Sequence, residues 1–203
     1  MNDVQPGLRE RARRAIQKEI TDVAQRLFVE RGYEQTTIDD IAEAVGTSRR
    51  SVFRYFPTKE DIVVGKFDFV AEAIVEELRA RPADEPVWES LRRMFDLLIP
   101  YVDAPGRHEV AEPMQRIVFA TPGLLASYLE KLERMTGAAE LVIRERALAR
   151  GVTFAESDPT PRAVIGAAFS CLLAAQHAWL AGDATDTFAA CVDRAMAALE
   201  PTS

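Results

Sequence analysis

Between Ile38 and Tyr55 the sequence sets long hydrogen-bond donors beside apolar anchors at helical spacing. Arg49, Arg50, Ser51 and Arg54 fall on one side of a short helix, and Val52 and Phe56 fall on the other. A guanidinium can fork onto O6 and N7 of guanine, so donors standing off an anchored helix can read base edges in a major groove. The positive end of that helix, at Ser48, favours a phosphate. Three nearby arginines alone are more often a solvated helix face. The residues ahead of them change the balance. Ile38, Ile41 and Ala42 make a short amphipathic helix. Thr36 and Thr37 precede it, with Asp39 and Asp40 in an acidic form of the capping box. Val45-Gly46-Thr47 is a tight turn, in which a glycine accepts φ > 0 without a Cβ clash. Two short helices joined this way form a helix-turn-helix, and the chemistry they suit is nucleic-acid recognition.

Other chemistry is sparse. No G-x-S-x-G, P-loop or G-x-G-x-x-G occurs. His108 and His177 are the only histidines and lie far apart, and the pair His108 and Glu112 offers two ligands, too few for a metal site. No catalytic residue, metal or cofactor is expected. Cys171 and Cys191 form no C-x-x-C and no disulfide framework, which favours a reducing compartment. No signal-peptide pattern follows Met1, so a cytoplasmic location is expected.

The elements that must position these residues read as helix throughout. The first helix carries Ile16, Ile20, Val23, Ala24, Leu27 and Phe28 on one face and stops at Gly32. The recognition segment starts at Thr47 or Ser48 and ends before Pro57. A fourth helix opens at Thr58 and runs through Ile62, Phe67, Val70, Ile74 and Leu78 to Pro82. Further helices are expected over Pro86–Ile99, Pro113–Phe119, Leu124–Arg150, Arg162–Ala181 and Asp186–Leu199. The 203 residues carry a formal charge of −7, unevenly spread. Residues 1–60 hold 11 Lys+Arg against 10 Asp+Glu, and residues 61–203 hold 14 against 22. A near-neutral first part with clustered arginines is compatible with DNA despite the acidic whole. Arg9, Arg11, Arg13 and Arg14 read equally as a tail with no specific role or as an arm touching DNA. The domains expected are residues 1–60, binding DNA, and residues 61–203, binding an effector and dimerising.

The run from Gly32-Tyr33-Glu34-Gln35-Thr36-Thr37-Ile38 to Arg54-Tyr55-Phe56-Pro57-Thr58-Lys59-Glu60-Asp61-Ile62 resembles the DNA-binding domain of TetR-family repressors. The resemblance implies an all-α homodimer with an N-terminal operator-binding domain and a C-terminal effector domain. By position, Thr37, Tyr55 and Lys59 correspond to the family's phosphate contacts, and Ser48, Arg49, Arg50, Ser51 and Arg54 occupy its recognition helix. Phe53 stands where members often carry tyrosine, and Val45-Gly46-Thr47 replaces the more usual alanine, glycine, valine. The stretch from Met114 to Leu124 resembles the branch whose effectors are acyl-CoA-like.

Independently, aromatic and methionine side chains are spread over several C-terminal helices. Phe67, Trp88, Phe95, Met114, Tyr128, Met135 and Phe169 suit the wall of an apolar cavity, with Gln176 or His177 fixing a polar end of the ligand. Any one of them, taken singly, reads as plain core. The segment Ala163–Ala181 is almost continuously apolar but broken by Ser170, Gln176 and His177, so it reads as a helix buried on two sides. Ala167, Ala174, Ala175 and Ala178 on it, with Phe188 and Val192 on the last helix, are expected to form a dimer interface. The reading that follows is a ligand-responsive transcriptional repressor, released from a pseudo-palindromic operator by an apolar effector such as an acyl-CoA or a lipophilic drug. Its rivals are a DNA-binding regulator controlled by a protein partner and, less favoured, a helical enzyme or carrier.

Overall fold

A computed structural model describes residues 8–103, 108–182 and 186–200 of the chain. Among the described residues there are eleven α-helices and no strand. They are α1 (Leu8–Arg31), α2 (Ile38–Val45), α3 (Arg49–Tyr55), α4 (Lys59–Val64), α5 (Lys66–Ala80), α6 (Val87–Met94), α7 (Ile99–Asp103), α8 (His108–Ala120), α9 (Pro122–Ala149), α10 (Thr160–Ala181) and α11 (Phe188–Ala197).

Local signals set the short N-terminal helices. Thr37 caps α2 in a complete capping box: its hydroxyl accepts from the Asp40 amide at 3.1 Å, and the Asp40 carboxylate accepts from the Thr37 amide at 2.7 Å. Gly46 ends α2 at φ +76°, with its amide bonded to the Glu43 carbonyl and the Thr47 amide to that of Ala42. That double closure needs a left-handed residue, and glycine takes the position without strain. Ser48 caps α3, and Thr58 with Asp61 repeats the capping box at α4. Ile41, Val52 and Ile62 are fully buried, as are Ile20, Ala24 and Phe28 of α1; α2 and α4 pack on α1, and α3 packs on α2.

The larger part is built around α9, which contacts α4, α5, α8 and α10. In turn α10 packs along α11. Helix α4 touches both α1 and α9, so the boundary expected at residue 60 passes through a helix that the two parts share. Helix α1 also reaches α8.

Several expected elements change shape. The fourth helix is two: Gly65 separates α4 from α5, and a Cβ there would lie 2.3 Å from the Asp61 carbonyl oxygen. The bend brings backbone too close for any side chain. Pro86–Ile99 is not one helix either, because α6 tightens into a 3-10 turn at Phe95–Leu97 and restarts as α7. Pro100 sits in the first turn of α7, where its missing N–H is no loss, and so does not terminate anything. Helix α8 begins at His108, with Pro113 inside it. Thr187 caps α11, and Asp103 on α7 accepts from the Phe188 and Ala189 amides at 2.9 and 3.0 Å. This α11 start is later than Asp186, and Leu199 lies exposed beyond its end. Ile16, expected on the buried face of α1, is 38% exposed because the N-terminal half of α1 extends past the small core.

Candidate nucleic-acid interface and effector cavity

Helix α3 presents its arginines to solvent while Val52 is buried beneath them. Each arginine is held differently. The Arg49 guanidinium donates to Asp39 at 3.0 Å and lies 5.4 Å from the centre of the Phe53 ring. That of Arg54 lies over the Tyr55 ring at 5.0 Å. Arg50 is exposed and has no partner among the described residues, so it is the donor most available to a base edge. Ser48 and Ser51 are tied together at the start of the helix, with Ser48 Oγ accepting from the Ser51 amide at 3.2 Å and lying 3.1 Å from the Ser51 hydroxyl. The Thr37 hydroxyl is likewise engaged in its own cap. Phe53 lacks a hydroxyl and serves Arg49 as a stacking surface instead.

Lys59 has a built setting. Its ammonium donates to the carbonyls of Tyr33 and Thr36 at 2.8 and 3.2 Å and sits 4.0 Å from the centre of the Tyr33 ring. The Tyr33 hydroxyl donates to Glu60 at 2.9 Å. Burial, then the bond and charge of Glu60, push the Tyr33 phenol well above its usual range. Burial works against the Glu60 carboxylate, but hydrogen bonds from its own backbone, Tyr33 and Thr58 and the Lys59 charge outweigh it and hold its pKa low. Tyr33, Thr36 and Glu60 therefore fix the end of the α3–α4 corner, a role that spacing alone did not reveal.

A partly open cavity of about 440 Å³ lies between the larger part and α1. Tyr128, Leu132 and Met135 of α9 line it, as do Leu172, Gln176 and Trp179 of α10. At its inner end Tyr128 and Gln176 are buried and bonded to each other, the Gln176 amide donating to the Tyr128 oxygen at 2.7 Å. Gln115 of α8 also lines it, and its Nε2 is buried with no hydrogen-bond partner. The outer wall is α1, through Arg14, Gln17, Lys18, Thr21, Asp22 and Gln25, and Phe56 at the end of α3 closes one side.

Of the expected ligand residues, Tyr128, Met135 and Gln176 line this cavity. Phe95 and Phe169 instead pack edge to face at 5.5 Å inside the core, and Met114 is buried away from the cavity. Trp88 spends its indole N–H on the Met196 carbonyl at 3.2 Å. His177 is exposed and stacks on Phe119 with ring centres 4.5 Å apart, so it does not cap the polar end of the cavity. The side chains of Phe67 and His108 lie outside the described residues. The part played by α1 was missed, although Gln17, Thr21 and Gln25 form an uncharged polar stripe at i, i+4, i+8.

The interface residues divide as well. Ala175, Phe188 and Val192 are core of the protomer itself, at 1%, 2% and 0% exposed, which removes them from any outer face. Ala174 and Ala178 are exposed on α10 and Ala167 is half-buried. Helix α10 is long and apolar enough to cross a membrane, yet half of its most apolar stretch is buried inside the protein. Arg14 belongs to helical α1 and to the cavity's outer wall; Arg9, Arg11 and Arg13 are exposed on the same helix.

Residues 20–64 match the family model described as bacterial regulatory proteins, tetR family. The HTH-type transcriptional regulator TcmR of Streptomyces glaucescens is 34% identical over 165 residues, covering 79% of this chain and 71% of TcmR. The chain belongs to the TetR family. It is a DNA-binding transcriptional regulator with the helix-turn-helix at Ile38–Tyr55. The TetR fold extends over both the N-terminal and the C-terminal parts. A TetR-family regulator of Mesorhizobium loti superposes with a TM-score of 0.61 at 22% identity, covering 93% of this chain and 95% of the other. The TetR-family repressor FadR of Thermus thermophilus, solved in complex with lauroyl-CoA, gives a TM-score of 0.59 at 20% identity, covering 89% and 91%.

Proposed function

We propose that this TetR-family regulator is a cytoplasmic repressor released from a pseudo-palindromic operator by a mainly apolar small molecule. The observation that carries the reading is the position of the cavity. It is bounded by α1 and by Phe56, which are parts of the reading head, and by α9 and α10, which are not. A ligand held there touches both, so it can have different affinities for the two arrangements of the heads, which is what a population shift requires. Arg49, Arg50 and Arg54, with Ser48 and Ser51, read bases, while Thr37, Tyr55 and Lys59 hold phosphates. Two such heads, set in successive major grooves, stand about 34–36 Å apart on the operator. The exposed small-residue face of α10, at Ala167, Ala174 and Ala178, meets its counterpart in the dimer.

The test is a mobility shift on the DNA upstream of the protein's own gene, with and without candidate effectors, alongside sedimentation. Wild-type protein sediments as a dimer and retards that DNA, and effector reverses the shift. The double variant Ala174→Arg, Ala178→Arg sediments as a folded monomer and loses the shift. A monomeric wild-type protein at micromolar concentration, or one that ignores its upstream DNA, overturns the reading.

A further inference from the structure

The first turn of α2 carries two carboxylates, and its cap uses only one of them. Asp40 completes the capping box with Thr37 and lies 4.0 Å from Arg31. Asp39 takes no part in the cap, and the positive end of α2 is already met by Asp40. Among the described residues the Asp39 carboxylate has one partner, Arg49 at the start of α3, whose Nη1 donates to Asp39 Oδ2 at 3.0 Å. Both side chains are exposed.

A carboxylate beside a helix that reads DNA works against binding, because it repels phosphates and the acceptor oxygens of bases. Here it also offsets the charge of Arg49, so the pair adds little to the attraction for an arbitrary duplex. What Asp39 supplies instead is orientation. Arg49 is held from two sides, by Asp39 and by the Phe53 ring centred 5.4 Å away. A guanidinium that spends one N–H on a carboxylate keeps others in the same plane, enough to fork onto O6 and N7 of a guanine. Arg50 has no such hold among the described residues, so it can turn to a base or to a phosphate. An arginine fixed in one direction, with its charge offset, gains from a guanine at one place and gains little from phosphates elsewhere.

Given the base reading proposed above for Arg49, we infer that Asp39, a residue outside the recognition helix, sets operator specificity. Acting through Arg49, it lowers the affinity for arbitrary DNA more than the affinity for the operator.

The experiment first uses the full-length wild-type protein to select its preferred site from a library of random duplexes. Fluorescence anisotropy then measures binding to that site and to a scrambled duplex of the same composition, over a range of salt. Asp39→Ala binds the scrambled duplex about fivefold more tightly, the weight of one exposed ion pair, and the selected site within about twofold of wild type. Its salt dependence on the scrambled duplex steepens by about one unit, as the freed Arg49 takes a phosphate. The melting temperature stays near that of wild type, because Thr37 and Asp40 still cap α2. In an Arg49→Ala background, removing Asp39 leaves the ratio of the two affinities unchanged. Equal tightening on both duplexes, which is a plain charge effect, overturns the inference. So does an unaltered affinity for both, or the same loss of selectivity in the absence of Arg49. The base reading fails separately. If Arg49→Ala binds the selected site as well as wild type does, Arg49 contacts no base, whatever Asp39→Ala does.

Discussion

The reading head and the cavity-bearing part are made from the same kind of helix but are specified in different ways. In the head, each short helix is started by a residue three positions from its partner: Thr37 with Asp40, Ser48 with Ser51, Thr58 with Asp61. The arginines of its α3 are exposed and carry charge. In the larger part the decisive contacts span long separations. Tyr128 meets Gln176, Asp103 caps α11, and Arg146 donates to the Arg81 and Pro82 carbonyls at 2.7 and 2.8 Å. The side chains that α9 and α10 turn to the cavity, such as Tyr128, Met135 and Gln176, are buried and neutral. A surface that reads a charged polymer must stay hydrated, whereas a site for an apolar molecule draws on surface withdrawn from water.

The sharpest way to separate the two is to remove charge from the head. Replacing Arg49 and Arg50 with alanine should cost about 2–6 kcal/mol of operator binding if each contacts a base. Effector titration and melting temperature should stay as in the wild type. Arg50→Ala alone should cost more than Arg49→Ala, since Asp39 already engages Arg49. Fluorescence anisotropy on operator DNA measures both, and unchanged affinity in the double variant removes the base-reading assignment.

The reverse experiment acts on the cavity. Tyr128→Phe takes from Gln176 a partner it cannot replace inside the core. We expect a loss of about 1–3 kcal/mol in stability by denaturant unfolding, with operator specificity preserved. Met135→Trp should fill the cavity and block effector release of DNA while operator affinity persists, and a normal effector response in this variant would separate Met135 from the effector site.

Smaller effects test how locally the head is specified. Thr37→Ala and Thr58→Ala should each cost about 1 kcal/mol through loss of a helix cap. Each change should be nearly independent of the other, since the caps share no partner. The smallest effect concerns pH. Hydrogen bonding by Arg81 and then Ser90, against some burial, lowers the Glu85 carboxyl to about 2. Ser90 Oγ donates to it at 2.6 Å. The folded pKa is depressed, so its contribution is present above the ordinary carboxylate range and is lost as pH falls toward 2. Solvent near the pair keeps the effect modest. Glu85→Gln should flatten the acid limb of melting temperature against pH, and an identical limb would show that other carboxylates govern it.

What the sequence determined by itself is the head. Caps, the glycine turn and the apolar spacing of Ile38, Ile41, Val52 and Phe56 all act within a few residues, so the order of types along the chain already encodes the geometry. It also determined that the rest is helical, because a 3.6-residue period is local too. Tertiary structure decided which apolar residues face a cavity and which are filler. Met135 and Phe169 are alike in kind, yet one lines the void and the other packs against Phe95. It decided that Ala175, Phe188 and Val192 lie inward, that polar residues of α1 form the cavity's outer wall, and that Gln115 holds a donor with no acceptor. The period of a helix gives the face that is buried. What that face is buried against depends on how distant helices cross, and that is settled by the packing of the whole chain.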